Sequence, residues 1–340
     1  MGYQPKMRIT PYLLQLLTQA STLKAWIDAS TIEVPWVVKL QRETASRITH
    51  SSTAIEGNPL TLPEVEALAR GEEIPAGQRD RLEILNHLAA LRWIWQQKPG
   101  ADVTESRLLQ MHRLITTGLV PAGDCGVYKN RQNRVVDGRG MTVHLPPSPE
   151  QAAPLVCELI DWIASSETRI LHPLIVSAIA HHRLVSIHPF VDGNGRSGRA
   201  LAVWILWTRG FDTQHMFAVD EYYWQDRSRY YQKIQQVREL DDDLTYWLEY
   251  AAEALMDALQ KTRKRVESLQ ISAKVPKLAL TVRQENLLRF VRDHGRVRAP
   301  QIQAAFKISR ARVGQLLRPL IDAGILLQEG QRRGTTYRLG

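Results

Sequence analysis

Twelve contiguous residues, His188-Pro-Phe-Val-Asp-Gly-Asn-Gly-Arg-Ser-Gly-Arg199, constrain this chain more than any other stretch. Before them, Pro173 to Ser186 reads as a buried helix. After them comes the longest apolar run in the sequence, the eight residues Ala200 to Trp207. Three glycines between two helical segments dictate a sharp turn that opens the second helix. Backbone N–H groups at such a helix start point at an anion, and the helix dipole favours negative charge there. Arg196 and Arg199 add donors suited to phosphate oxygens. Asp192 is a hard oxygen ligand placed for Mg2+ bridging phosphates. His188 is of the residue type that removes a proton from a hydroxyl near neutrality. The chemistry is that of phosphates without a P-loop, because no G-x-x-x-x-G-K-[ST] occurs.

The rest of the chain supports a mainly α-helical fold. Leu82, Leu85, Leu88 and Leu91 recur at helical spacing, and Thr61-Leu-Pro-Glu64 is a capping-box pattern opening a helix to about Gly71. Further helices are expected from Thr104, over Gln151 to Ser165, and over Asp242 to Leu269. Arg134 to Val143 differs, with two short β-prone runs around Asp137-Gly138 that predict a hairpin. A composition of 44% hydrophobic and 23% charged residues excludes a largely disordered chain. No run approaches the roughly 20 apolar residues that span a bilayer, so no membrane partner is expected. Two cysteines, Cys125 and Cys157, and no apolar signal core point to a reducing compartment, the cytoplasm.

The net charge of +9 is unevenly placed. Residues 271–340 hold 14 Lys/Arg against 4 Asp/Glu, so the body is near neutral and the tail strongly basic. Helices are expected over Val282 to Arg292, Ala299 to Phe306 and Arg310 to Ala323, followed by a basic hairpin from Ile325 to Leu339. That order describes a small winged helix-turn-helix domain over 281–340, joined through a linker at 269–280. Arg310, Arg312 and Arg318 on its third helix, with Arg332 and Arg333 in the wing, suit the phosphates of DNA. Such domains also serve as protein-docking or dimer modules.

The twelve-residue stretch resembles the Fic motif, H-x-F-x-[DE]-G-N-G-R-x-x-R, and matches it at every defined position. The resemblance runs from about residue 40 to 255. It implies an N-terminal helical region over 1–100 and a Fic helical bundle with a β-hairpin flap over 101–268. Fic proteins typically transfer AMP from ATP to a hydroxyl of a target protein, so ATP is the implied substrate and Mg2+ the implied cofactor. On that resemblance His188 is the base, Asp192 the metal ligand, and Phe190 a buried anchor. Gly193, Asn194 and Gly195 cradle phosphates, while Arg196 and Arg199 contact the phosphate tail. Tyr230 and Tyr231 resemble a tyrosine pair near adenine, although a packed aromatic pair explains them equally well. Arg238 stands where those proteins carry asparagine. Gly195 stands where kinase-like members carry lysine, which favours AMP transfer. The hairpin, with Arg134, Val143 and His144, resembles the family's target-docking flap.

Upstream, Ser52-Thr-Ala-Ile-Glu56-Gly57 matches the family's inhibitory pattern [ST]-x-x-x-E-[GN]. Read alone, it is a helix end with a solvated carboxylate. The resemblance implies that Glu56 pairs with Arg199 and restrains the enzyme, that Ser52 supports the inhibitory helix, and that Glu56 also serves AMP removal in some relatives. Two functions therefore follow: an autoinhibited protein adenylyltransferase with a DNA-binding tail, or a nucleotide-sensing transcriptional regulator with a Fic-like body. A homodimer is compatible with either.

Overall fold

Two compact units, Met1–Val266 and Glu267–Gly340, make up the chain. The computed structural model describes residues 2–32, 34–136, 140–274, 281–322, 325–330 and 335–339.

The first unit is a helical bundle whose starts are set by local chemistry. The Thr10 hydroxyl accepts the Leu13 N–H at 3.0 Å and opens α1 (Pro11–Ala29). Next come α2 (Val34–Ile55) and α3 (Leu62–Ala69). The Glu64 carboxylate accepts the Thr61 N–H at 2.8 Å, closing the expected capping box. Gly71, at φ +83°, ends that turn where a side chain would be strained. Helix α4 (Gln78–Trp95) buries Ile84, Leu88 and Leu91, and α5 (Glu105–Thr116) begins at Thr104 as its spacing predicts. Strands β1 (Val135–Val136) and β2 (Thr142–His144) pair antiparallel, with Val135 opposite His144 and Val136 opposite Thr142. The expected turn residues Asp137 and Gly138 lie outside the described residues.

Helices α6 (Pro149–Ala164) and α7 (Ser166–Arg169) lead into the core pair, α8 (Pro173–Ile187) and α9 (Asn194–Thr208). Helix α8 is buried almost all round, which explains its apolar sequence. Helices α10 (Asp220–Gln225), α11 (Arg227–Glu239) and α12 (Thr245–Lys274) follow. Helical structure continues to Lys274, past Ser268 where the sequence pattern weakens. Helix α2 buries an unusual run, Thr49, Ser51, Ser52, Thr53, Ala54 and Ile55. Small residues allow close approach to its neighbours, and the Thr53 hydroxyl donates to the Thr49 carbonyl at 2.9 Å.

The second unit contains α13 (Val282–His294), β3 (Val297–Arg298), α14 (Ala299–Phe306) and α15 (Arg310–Asp322). Strands β4 (Leu326–Glu329) and β5 (Thr336–Leu339) complete a three-stranded antiparallel sheet in the order β3-β5-β4. Leu287, Val291, Ile302, Val313, Leu317, Leu320 and Leu326 form its own core. Strand β3 is not legible in the sequence, because two residues carry no period.

Candidate active site

The turn between α8 and α9 is held in a shape that few sequences tolerate. His188 caps α8 in the left-handed region at φ +50°, and Gly193 turns into α9 at φ +79°. A β-carbon at Gly193 would lie 2.7 Å from the Thr116 methyl, so glycine is needed on steric as well as conformational grounds. Asn194 binds Phe190 twice: its Oδ1 accepts the Phe190 N–H and its Nδ2 donates to the Phe190 carbonyl, each at 2.9 Å. The Asn194 side chain therefore shapes the turn. What residues 194–196 present to an anion is the set of N–H groups at the start of α9, which have no helical acceptor.

His188 carries its proton on a known nitrogen. Nδ1 lies 3.2 Å from the Val185 carbonyl, which only accepts, so Nδ1 donates and the Nε2 lone pair is left available. Burial pushes the His188 pKa down to about 4, the nearby Lys129 ammonium adds to that, and the Val185 bond opposes it. The imidazole is consequently neutral, and a base, near pH 7.

Three residues that the sequence reading passes over build this turn from outside. The His112 Nδ1 accepts the Gly126 N–H at 3.0 Å, and its Nε2 donates to the Asp192 carbonyl at 3.0 Å. Its ring stacks on Phe190 with centroids 3.7 Å apart. The Asn133 carboxamide donates to the carbonyls of Phe190 at 2.9 Å and His188 at 3.2 Å. Buried Lys129 donates to Asn133 Oδ1 at 2.7 Å. A histidine on a helix and an asparagine in a loop leave no periodic mark, so only tertiary structure reveals them.

The two arginines of the motif have different surroundings. Arg196 ion-pairs with Glu83 at 2.6 Å and with Asp192 at 3.2 Å. Arg199 is only 1% exposed. Its Nη2 donates to Glu56 Oε1 and to the Ser52 carbonyl, both at 2.7 Å, and its Nε donates to Ser52 Oγ at 2.8 Å. Glu56 also lies against the start of α9: a β-carbon on Gly195 would sit 2.1 Å from Glu56 Oε1. The carboxylate thus occupies the anion-binding end of the helix. Its side chain remains 31% exposed.

Asp192 keeps a solvent-reachable carboxylate, bound on Oδ1 by the Gly193 N–H and by Arg196. No cluster of three or more His, Cys, Asp or Glu able to hold a metal occurs among the described residues. Tyr230 and Tyr231 separate: Tyr230 is 1% exposed and Tyr231 39%. The Tyr230 hydroxyl accepts from Arg199 Nη1 at 3.3 Å and lies 3.0 Å from the neutral His181, so it belongs to the aromatic core. Tyr231 instead donates to the Ile55 carbonyl at 3.3 Å, tying α11 to the end of α2. Arg238 is partly buried, which pushes its pKa down to about 10, and it donates to Gln235 at 3.0 Å.

Of the hairpin residues, Arg134 and Val143 are exposed, whereas His144 donates from Nε2 to the Ser186 carbonyl at 2.8 Å. That bond fastens β2 to the last turn of α8. In the second unit Arg310, Arg312 and Arg318 are exposed on α15. Arg332 and Arg333 lie outside the described residues.

The Fic/DOC family model matches residues 102–206, which contain the whole turn. Over 196 residues the chain is 31% identical to the protein adenylyltransferase Fic of Nematostella vectensis, covering 56% of this chain and 43% of that protein. It is 32% identical over 178 residues to protein adenylyltransferase fic-1 of Caenorhabditis elegans, covering 51% and 34%. The chain thus spans under half the length of the curated relatives it matches. A crystal structure of a Fic family protein from Desulfovibrio desulfuricans G20 superposes with a TM-score of 0.70 at 25% identity, over 99% of this chain and 98% of that one. A structure of Caenorhabditis elegans Fic-1 gives a TM-score of 0.64 at 26% identity, over 75% and 73%.

Proposed function

Starting from a chain that carries a Fic/DOC family domain, we propose that it transfers AMP from ATP to a hydroxyl side chain of a target protein. The observation that carries this reading is the His188 imidazole, neutral, with its Nδ1 proton committed to Val185 and no hydrogen-bond partner on Nε2 among the described residues. In the reaction the target hydroxyl gives its proton to Nε2, and its oxygen bonds to the α-phosphorus. The bond from that phosphorus to the oxygen bridging to the β-phosphorus breaks, and pyrophosphate leaves. The N–H groups at the start of α9 and the Arg196 and Arg199 guanidiniums receive the phosphate oxygens.

Mg2+ is held mostly by substrate phosphates plus one or two carboxylates, and the partly exposed Asp192 carboxylate fits that donor set. Asp192 would hold the ion, which when bound neutralises charge between phosphates.

Glu56 is a brake in this reading. Its carboxylate lies where a terminal phosphate would meet Arg199 and the N-terminus of α9. A nucleotide that enters beside it binds with its α-phosphate misplaced, and rate depends steeply on that placement. Ser52 keeps Arg199 turned toward α2. The β1–β2 hairpin serves as a docking edge that receives an extended target segment as an added strand. The second unit is a winged helix-turn-helix in which α15 meets DNA phosphates through Arg310, Arg312 and Arg318.

The test uses ATP labelled at either the α- or the γ-phosphate, with the Glu56→Gly variant in a cell lysate. Protein-bound label from the α-position alone is expected. Label from the γ-position would replace AMP transfer with phosphate transfer, and label from neither would leave nucleotide sensing as the better account.

A further inference from the structure

Among the described residues the buried guanidinium of Arg199 has two carboxylate neighbours, and only one of them reaches solvent. Glu56 is that one, following the last turn of α2 and about a third exposed. Asp220 is the other. It begins α10, is 3% exposed, and its Oδ2 lies 4.0 Å from Arg199 Nε. That oxygen is fully buried and has no hydrogen-bond partner among the described residues.

A buried carboxylate oxygen without a hydrogen bond is costly unless a charge faces it. Burial accordingly raises the Asp220 pKa to about 6, while Arg199, and after it a hydrogen bond from Ser52, pull it back. The same holds for the cation: a guanidinium this deeply enclosed is strongly destabilising once its partner is gone. If Glu56 withdraws to admit the terminal phosphate of ATP, as the proposed function requires, Arg199 passes through an interval with neither Glu56 nor phosphate against it. Ser52 and Tyr230 then offer only neutral dipoles.

We infer that Asp220 is the permanent counter-ion of Arg199, a positioning residue that keeps the guanidinium seated while Glu56 is exchanged for the terminal phosphate of ATP. Neighbouring contacts suit α10 to this task. Glu221 ion-pairs with Arg47 of α2 at 2.9 Å, and Trp224 packs edge-on against His50 of the same helix, so α10, with Asp220 at its start, is held against α2. This inference rests on the proposed exchange of Glu56 for phosphate, but its readout is thermal unfolding and does not require AMP transfer.

The experiment compares wild type, Glu56→Gly, Asp220→Asn and the double variant. Either single variant leaves Arg199 one carboxylate, so each alone should shift Tm by only a few degrees. The double variant should lose about 5 °C more than the sum of the two. ATP should restore much of that loss, because its terminal phosphate supplies the missing charge, whereas AMP should not. Should the double variant fail to fold, adding Arg199→Leu should restore folding by removing the stranded cation. Additive single effects, equal rescue by ATP and AMP, or a double variant that Arg199→Leu cannot rescue would each overturn the inference. A failure of AMP transfer with the synergy and ATP rescue intact would reject the enzyme reading and leave this pairing standing.

Discussion

Arg199 and Arg318 are the same side chain in opposite surroundings. Arg199 is enclosed in the first unit, with donors at 2.7 and 2.8 Å from fixed oxygens. The Arg318 side chain in the second unit is 86% exposed and lies 4.0 Å from Asp322, a separation at which solvent screens most of the attraction. Buried charge acts through geometry, because every oxygen around it has been positioned to match the planar fork. Exposed charge acts by summation, because many mobile cations together attract a polyanion. The first use needs particular residues at particular distances, and the second needs only a count.

The largest expected effect contrasts the two directly. Arg199→Lys loses the fork and should lower kcat/KM of the Glu56→Gly enzyme about 100-fold, whereas Arg318→Lys should leave DNA affinity within about twofold. Steady-state kinetics and a fluorescence binding titration measure them side by side. A comparable loss at both positions would end the distinction.

Removing the base sharpens the geometric half of the comparison. His188→Ala in the Glu56→Gly background should cut transfer by about 10²- to 10⁴-fold. The pH profile adds a signed test. The folded-state pKa of His188 is lowered to about 4, so the imidazole stays neutral as pH falls from 8 to 6, and activity should decline only on approach to 4. An inflection near the ordinary 6.5 would mean that burial does not govern this histidine.

The additive half predicts a slope. Replacing Arg310, Arg312 and Arg318 together by alanine should reduce the salt dependence of DNA binding by about 2.7 in log K against log salt, if each meets one phosphate. An unchanged slope would take α15 away from DNA and favour protein docking.

How much of this was legible depends on how the residues are connected. The motif from His188 to Arg199 is contiguous, so its turn, its helix and its chemistry could be read together. Helices α3 and α5 were legible from their starts, because Thr61 and Thr104 act on their own next turn. His112, Lys129, Asn133 and Asp220 were not, because each reaches the site from a separate element and nothing local distinguishes it. Glu56 was legible only as a pattern, since its meaning comes from meeting Arg199 across 143 positions. The tyrosines show the same limit: adjacent residues on a helix point about 100° apart, and only the packing decides that Tyr230 faces inward.

The smallest effect probes the contact between Glu56 and α9. Gly195→Ala would bring a β-carbon to 2.1 Å from Glu56 Oε1, so it should lower Tm by about 2–4 °C in the wild type. The same change in the Glu56→Gly background should cost little. Equal losses in both would move the strain away from Glu56.

The central claim is that one base performs AMP transfer under the restraint of one carboxylate. Intact-mass spectrometry after incubation with ATP and Mg2+ and a lysate-derived target pool tests it most directly, on wild type, Glu56→Gly and Glu56→Gly/His188→Ala. The account predicts AMP adducts in Glu56→Gly, few in wild type and none in the double variant. Adducts that are equally abundant in wild type and Glu56→Gly, or that persist without His188, would contradict it.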